Sequence, residues 1–429
     1  MQTEMRTKQI MKEMYAQLGI SSEVYDFGHK IEESLKERFE KFDKTAEYNQ
    51  MKVLLAMQKN KVAEAHFNTT TGYGYNDLGR EIIEKVYADI FKSESAVVRS
   101  QFISGTHAIS TCLFALLRPG DIMLSISGKP YDTLDTIIGF NDNPSSLKAF
   151  NIDYKQIDLI DNNFDYNNIK DILSNNKIKL IEIQRSKGYS TRESISIDKI
   201  EEVIKFIRSI DKEVIIMIDN CYCELVNKKE PIEVGADICV GSLIKNLGGA
   251  IASNGGYIVG RKDLINLCAE RLNVPGQAKE VGPSMGQNKP ILEGLYMAPM
   301  IVNNAIKTAI YTAYLFEKLG YNVSPKYNEE RVDIVENIIF NNEEDLITYV
   351  KAIQANSKID SNAIAMPSEM PGYDDKIIMA SGSFTQGSSI ELSCDGPLRS
   401  PYIAYQQGSI SYKYGKIIVE RAIEYLLNK

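Results

Sequence analysis

Short apolar runs that alternate with amphipathic helical patterns constrain the fold of this chain more than any other feature. Runs typical of β-strands occur at SAVVRS, DIMLSIS, KIKLIEIQ, EVIIMID, DICVG and GGYIVG, and helical patterns such as IEEVIKFIRSI separate several of them. Runs that are apolar on both faces are typical of parallel strands covered by helices on both sides. The sequence therefore predicts an α/β fold built on a mostly parallel sheet.

The same pattern predicts three parts along the 429 residues. Residues 1–60 carry helical periodicity and many charges, which predicts a helical arm at the surface or at a subunit contact. Residues 61–300 hold the predicted sheet. Residues 301–429 begin with a long helix and continue as a smaller α+β domain.

Composition argues against several classes of function. The formal net charge of -8 argues against a general attraction to nucleic acid or anionic membrane, because both favour clustered Lys and Arg. No apolar run reaches the roughly 18 residues of a membrane span. The six cysteines lie mostly in apolar runs without CxxC spacing, which predicts small core residues rather than a metal site. We expect a cytoplasmic protein without metal, nucleic acid or membrane as partners.

A lysine follows one of the buried strands. In ADICVGSLIKNLGG the strand ends at Gly241 and Ser242, and Lys245 comes just before a glycine-containing turn. The carboxyl ends of strands in open α/β sheets line the crevice where ligands bind. A lysine there forms a Schiff base with a carbonyl cofactor when a partly dry site lowers its pKa. The alternative is a solvated loop lysine, so this hypothesis depends on the neighbouring signals.

An aspartate ends the preceding strand. Asp219 closes EVIIMID, 26 positions (245 minus 219) before Lys245. A buried carboxylate requires a cation or a donor as its partner, and a protonated pyridine nitrogen would be one. A protonated ring is the electron sink that pyridoxal-phosphate chemistry needs for a carbanion at Cα. The alternative is that Asp219 only caps a following helix.

A third strand end carries hydroxyl groups and a glycine. The strand of VVRSQFISGTHAIS is followed by Ser104, Gly105 and Thr106 and then by a helix. The free N–H groups and the dipole at a helix N-terminus favour a bound phosphate, and Ser242 would add a donor from the far side. These residues predict a phosphate cradle, although Ser104 could equally be only a helix cap.

Longer motifs connect these residues to a known family. HFNTTTGYGYNDLGRE, SGTHAI, KPYDTLDTIIG, QRSKGYSTR, SLIKNLGG and SGSFTQGSSIELSCDGPLRSPY resemble the aluminium-resistance branch of the Cys/Met-metabolism family of fold-type I pyridoxal-phosphate enzymes. The resemblance covers nearly the whole chain. It implies a mostly parallel seven-stranded sheet with a smaller C-terminal α+β domain. It also implies pyridoxal 5'-phosphate as cofactor and a sulfur amino acid of the cystathionine, methionine or cysteine type as substrate.

The resemblance assigns roles to the residues around the cofactor. Lys245 would hold the cofactor, and Asp219 would meet its pyridine nitrogen. Tyr131 would stack on the ring, with a half-buried core tyrosine as the equal alternative, and His107 is a lesser candidate for stacking. The phosphate would be bound by Ser104, Gly105, Thr106 and Ser242.

Two further groups follow from the resemblance. Tyr73 and Tyr75 match an arm that reaches the neighbouring subunit's phosphate, which implies shared sites in a homodimer or homotetramer. An amino-acid substrate also requires an arginine for its carboxylate. Arg399 is the first candidate. Arg185 and Arg192 of QRSKGYSTR are the alternatives, and Arg185 is also counted with the cofactor-binding residues.

The implied mechanism begins when the substrate amine displaces Lys245. The freed lysine takes the Cα proton, and a thiol leaves the β or γ carbon. The rival hypotheses are an aminotransferase, an aldolase or a non-catalytic protein that binds pyridoxal phosphate. Ser242-Leu-Ile-Lys245 also fits the SxxK pattern of penicillin-binding proteins, but the accompanying SDN and KTG elements are not found. The glycines at 72, 74 and 79 do not form the dinucleotide-binding GxGxxG.

Overall fold

The protein divides into two compact units in the computed structural model, which describes residues 2–428. The large unit comprises Glu47–Pro299 and Pro371–Tyr373. The small unit comprises the chain up to Ala46, Met300–Met370 and the chain from Asp374 onward. The domain boundaries at residues 60 and 300 stay a prediction.

Helices and strands are numbered along the chain. The helices are α1 (Gln2–Gln17), α2 (Ser22–Ser34), α3 (Lys36–Lys59), α4 (Leu78–Phe91), α5 (Gly105–Leu116), α6 (Asp135–Ile138), α7 (Tyr166–Asn175), α8 (Ile197–Ile210), α9 (Lys262–Leu272), α10 (Asn288–Lys318), α11 (Glu343–Ala355) and α12 (Tyr412–Leu427). The strands are β1 (Ser95–Arg99), β2 (Ile122–Ser125), β3 (Asp153–Gln156), β4 (Leu180–Gln184), β5 (Ile215–Asp219), β6 (Ile238–Ser242), β7 (Gly256–Gly260), β8 (Asn322–Ser324), β9 (Val335–Ile339), β10 (Ile377–Ala380), β11 (Ser393–Pro397) and β12 (Ile403–Gln407).

The large unit is built on a seven-stranded sheet in the order β1-β7-β6-β5-β4-β2-β3. Strand β7 runs antiparallel to both of its neighbours, and the other neighbouring strands are parallel. The predicted mostly parallel α/β sheet is therefore confirmed. Because the parallel strands end at one edge, the polar residues that close β4, β5 and β6 lie at the same edge of the sheet.

Strand β5 shows why the apolar runs form this sheet. Met217 belongs to an apolar cluster with residues of α5 and α9 on one face. Ile216 and Ile218 belong to a second cluster with residues of α7 and α8 on the other face. Side chains of a strand alternate between the two faces, so a strand covered on both sides is apolar throughout.

The small unit contains an antiparallel sheet in the order β10-β11-β12-β9-β8, together with α11 and α12. The predicted smaller α+β region is confirmed by this sheet. All six cysteines are buried and carry free thiols. Among the helices of residues 2–428, none has both the length and the apolar character that a transmembrane helix needs.

Candidate active site

Strands β5 and β6 bring Asp219 and Ser242 to one edge of the sheet. Asp219 pairs with Val240, and Ser242 ends β6 two residues later. Met217 and Val240 face α5, so alternation along each strand places Asp219 and Ser242 on that same face. Both are buried, with exposures of 5% and 1%.

Helix α5 begins against these strand ends. A Cβ added to Gly105 would lie 3.2 Å from the Cβ of Ser242 and 3.5 Å from the Sγ of Cys221. Ser104 Oγ accepts the N–H of His107 at 3.0 Å, so Ser104 is the N-cap of α5. The first N–H groups of a helix have no acceptor within the helix. The structure therefore brings the turn at residues 104–106 close to Ser242. A side chain at Gly105 would narrow the space between the start of α5 and Ser242.

Thr106 and His107 make contacts within this turn. Thr106 Oγ1 lies 3.0 Å from Thr133 Oγ1. His107 Nδ1 accepts the N–H of Ile103 at 3.2 Å, and its ring meets Phe102 edge-on at 5.7 Å. Burial lowers the pKa of His107, which favours the neutral ring that this acceptor role requires. These contacts describe a local capping and packing residue, and stacking by His107 stays a prediction.

Lys245 follows β6 and is partly buried. Its Nζ lies 4.0 Å from the centre of the Tyr222 ring. Burial lowers the pKa of Lys245, but Cys221, Tyr222, Asp219 and Glu224 together raise it above its ordinary value. The expectation that a dry site lowers this pKa is therefore wrong, because the acidic neighbours outweigh burial. Asp219 therefore lies near enough to Lys245 to act on its charge.

Glu224 is a buried residue of this site that sequence reasoning missed. Its side chain is fully buried, and Oε1 accepts the hydroxyl of Tyr257 at 2.8 Å. Burial raises the pKa of Glu224 to about 8, although Lys245 opposes this shift. The sequence signal was an acidic residue inside the otherwise apolar run CYCELV, close after a strand end.

Tyr131 lies at the edge of the sheet beside β4. Its N–H donates to Gln184 Oε1 at 2.7 Å, and Gln184 pairs with Asp219 across β4 and β5. The Tyr131 hydroxyl is hydrogen-bonded to that of Tyr373, and its ring centre lies 5.6 Å from Tyr189 and 5.9 Å from Tyr373. Sequence reasoning missed this tyrosine cluster, because Tyr373 follows no strand and comes from a distant segment.

Arg185 and Arg192 lie in the loop after β4. The fully buried Arg185 donates from Nη1 to Asn220 Oδ1 at 2.6 Å, while its Nη2 has no partner within residues 2–428. Arg192 donates from Nη2 to the carbonyl oxygens of Gln184 and Ser186, at 2.8 and 2.6 Å. Arg192 therefore binds backbone carbonyls inside the protein, whereas Arg185 keeps one buried nitrogen without a partner among residues 2–428.

Glu182 is a second buried acid that the sequence did not single out. Ser125 Oγ lies 2.9 Å from its Oε2 and 2.7 Å from the carbonyl oxygen of Gly128. A hydroxyl has one hydrogen, so both contacts are satisfied when Glu182 is protonated and donates to Ser125. Burial and the nearby Asp219 raise the pKa of Glu182 to about 8, in agreement with that state.

Three predicted residues lie in other surroundings. The rings of Tyr73 and Tyr75 are stacked at 5.6 Å and exposed by 68% and 56%. Arg80 fixes their loop by donating to the carbonyl oxygens of Gly74 and Gly282. Arg399 belongs to the small unit, where its Nη1 lies 2.9 Å from Asp375 Oδ2.

Known proteins resemble this chain over nearly its whole length. The YnbB protein of Bacillus subtilis is 45% identical over 390 residues, which are 90% of this chain and 92% of YnbB. The structure of a protein involved in aluminium resistance from Clostridium acetobutylicum is 45% identical with a TM-score of 0.94, and the match covers 98% of this chain and 99% of that chain. The carbon-sulfur lyase involved in aluminium resistance from Clostridium novyi is 42% identical with a TM-score of 0.92 over 98% and 99%.

The sequence model of the methionine gamma-lyase family matches residues 24–427. That match spans both units and every site residue discussed above. The chain therefore belongs to the methionine gamma-lyase family, whose fold-type I enzymes cleave carbon–sulfur bonds with pyridoxal 5'-phosphate.

Proposed function

We propose that this enzyme cleaves the carbon–sulfur bond of an amino acid of the cystathionine, methionine or cysteine type, with its cofactor held by Lys245. The observation that supports this most is the arrangement at the ends of β5 and β6. There Asp219 acts electrostatically on Lys245, and Gly105 opens a space beside Ser242. The Clostridium novyi relative is named for the same class of reaction.

The residues of this site fit pyridoxal 5'-phosphate. The start of α5 offers N–H groups to a phosphate, and the missing side chain of Gly105 leaves room beside the Ser242 hydroxyl. The buried Asp219 carboxylate suits a protonated pyridine nitrogen. When bound, the cofactor supplies an electron sink for the negative charge that develops at the substrate Cα.

Lys245 is the residue that we expect to move the proton. A lysine released from its bond to the cofactor is a free amine, which can accept the Cα proton as general base. Asp219 keeps its orientation because its Oδ1 accepts the N–H of Cys221 at 3.0 Å. A fixed carboxylate keeps its charge directed at one point, which stabilises a cationic ring nitrogen best.

Tyr131 is placed to orient the flat ring of the cofactor. Its backbone is fixed by Gln184 and its hydroxyl by Tyr373, so little of its side-chain freedom remains to be lost on binding. Tyr189 and Tyr373 complete an aromatic wall beside it. We assign stacking to Tyr131, and contact with the substrate side chain to this wall.

For the substrate carboxylate, Arg399 remains our first candidate, with Arg192 and Arg185 as alternatives. Arg399 Nη1 lies 2.9 Å from the partly exposed Asp375 Oδ2, and the planar fork of a guanidinium matches the geometry of a carboxylate. Arg192 and Arg185 already bind backbone carbonyls or Asn220. The substitution Arg399→Lys should raise KM for the amino acid more than it lowers kcat.

We further propose a homodimer or homotetramer in the cytoplasm. An exposed, stacked pair of tyrosines on a loop fixed by Arg80 is available to a neighbouring subunit. Tyr73 and Tyr75 would then complete the phosphate site of that subunit. Sedimentation of the purified protein and loss of cofactor from the Tyr73→Ala variant would test both statements.

The experiment that tests the activity uses purified enzyme with cystathionine, methionine and cysteine. Release of keto acid together with a thiol is the expected result. Keto acid that forms only with an added amino acceptor would instead establish an aminotransferase. The Lys245→Ala variant is the control, and it should lose both turnover and the visible absorbance of the lysine-bound cofactor.

A further inference from the structure

We propose that the Tyr222 ring holds the Lys245 amino group whenever that amine is not bonded to a carbonyl carbon, and that Asn246 positions the ring. The proposal rests on the proposed role of Lys245. It adds a positioning residue that acts on the lysine during the part of the reaction in which the lysine is free.

The contact between lysine and ring is close. Lys245 Nζ lies 4.0 Å from the centre of the Tyr222 ring, compared with 5.2 Å for Lys228 over Tyr48 in the same unit. A cation within about 6 Å of a ring centre is attracted by the negative face of the ring, and more strongly where water is excluded. The ring therefore favours the ammonium form of Lys245.

The turn that carries Tyr222 has a strained backbone. Tyr222 has a φ of 74° and Leu225 a φ of 60°, values that are costly for a residue with a Cβ. Such a conformation persists only where the surroundings fix it. Here the side chain of Asn49 donates to the Leu225 carbonyl at 2.7 Å, and Glu230 Oε1 accepts the Leu225 N–H at 2.9 Å.

Asn246 links this turn to the lysine. Its side-chain nitrogen donates to the carbonyl oxygens of Tyr222 and Glu224, at 3.0 and 2.9 Å. Asn246 is fully buried and follows Lys245 directly in the chain. One residue therefore fixes the backbone of the lysine and the backbone of the ring relative to each other.

The contact with Tyr222 suits a lysine that would alternate between a form bonded to the cofactor and a released form. Once released, Lys245 must stay close enough to accept a proton, and it then becomes an ammonium. The other groups that act on it are Asp219, Cys221 and Glu224. A direct ion pair with Asp219 would withdraw that carboxylate from the ring nitrogen, whereas an aromatic face holds the cation and leaves Asp219 available.

The test compares Tyr222→Leu with Tyr222→Phe in protein stripped of cofactor. The rate of pyridoxal phosphate uptake is followed against pH by the growth of the visible absorbance band. Uptake requires the neutral amine, so loss of the ring should lower the pKa of Lys245 by about 1 and speed uptake about tenfold at neutral pH. Tyr222→Phe keeps the ring and should stay close to the wild type.

Tyr48→Leu is the matched control, because it removes the ring that lies beneath Lys228. This variant should leave the pH dependence of cofactor uptake unchanged. Asn246→Ala is the second variant and should shift the profile in the same direction as Tyr222→Leu. Identical profiles for wild type, Tyr222→Leu and Asn246→Ala would overturn the proposal. If the wild type itself took up no cofactor, the proposed function would fail instead.

Discussion

The ends of β4 and β6, the two strands that flank β5 in the large unit, are each followed by cations, but the protein uses these cations differently. After β4, Arg192 donates to the carbonyls of Gln184 and Ser186, and Arg185 donates to Asn220. After β6, the Lys245 nitrogen meets an aromatic face and the field of Asp219. A charged residue at a strand end is therefore weak evidence for a functional site by itself. A cation that is held by an aromatic face, rather than by backbone carbonyls, is stronger evidence for such a site.

The most severe test of this comparison is the substitution Asp219→Asn. If β5 and β6 carry the chemistry, removal of the carboxylate that would stabilise a cationic ring nitrogen should lower kcat by roughly 10²- to 10⁴-fold. Cofactor should still bind, since Gly105, Ser242 and Lys245 remain. Stopped-flow kinetics and the absorbance spectrum measure both effects. A variant with full turnover would remove Asp219 from the mechanism.

Glu182 on β4 should affect stability and its dependence on pH. The folded protein keeps this proton up to about pH 8, whereas the carboxyl has an ordinary pKa of 4.5. The stability that it contributes is thus fully present below pH 4.5 and is lost as the pH rises to 8. The amide in the Glu182→Gln variant cannot ionise. The free energy of unfolding of this variant should therefore exceed that of the wild type by about 3 kcal/mol at pH 7.

Urea unfolding at several pH values between 5 and 8 measures this difference, which should grow with pH. Glu201 is the control, because it is a partly exposed acid whose pKa is lowered by its ion pair with Lys205. Glu201→Gln should give a nearly constant difference over the same range. A constant difference for Glu182→Gln as well would mean that Glu182 is ionised in the folded protein.

Arg192→Ala should cost stability on the β4 side. The substitution removes the Arg192 donor from the carbonyls of Gln184 and Ser186, although the Ser186 carbonyl keeps a side-chain donor, Gln184 Nε2 at 3.0 Å. The loss should lower the free energy of unfolding by about 1–3 kcal/mol. We expect KM of the remaining folded enzyme to stay within about twofold of wild type, a change worth less than 0.5 kcal/mol. A large rise in KM at unchanged stability would make Arg192 the residue that binds the substrate carboxylate.

The sequence was sufficient for the residues that directly follow buried strands. Asp219, Ser242 and Lys245 could be predicted because an apolar run locates the strand and the polar residue after it locates the edge. Tyr373 could not, since its contact with Tyr131 joins positions 242 apart in the chain. The order of the strands and the carbonyl partners of Arg192 likewise depend on tertiary packing, which no local pattern encodes.

Gly105→Ala offers the finest distinction between a bound phosphate and a merely well-packed helix start. The new Cβ would lie 3.2 Å from the Cβ of Ser242, a contact tight enough to require a small shift of one of them. Alanine is a better helix former than glycine, so the folded protein should be no less stable. Cofactor affinity should nevertheless fall about tenfold, because the space beside Ser242 narrows. Equilibrium dialysis against pyridoxal 5'-phosphate measures this, and an unchanged affinity in a stable variant would place the phosphate elsewhere than between α5 and β6.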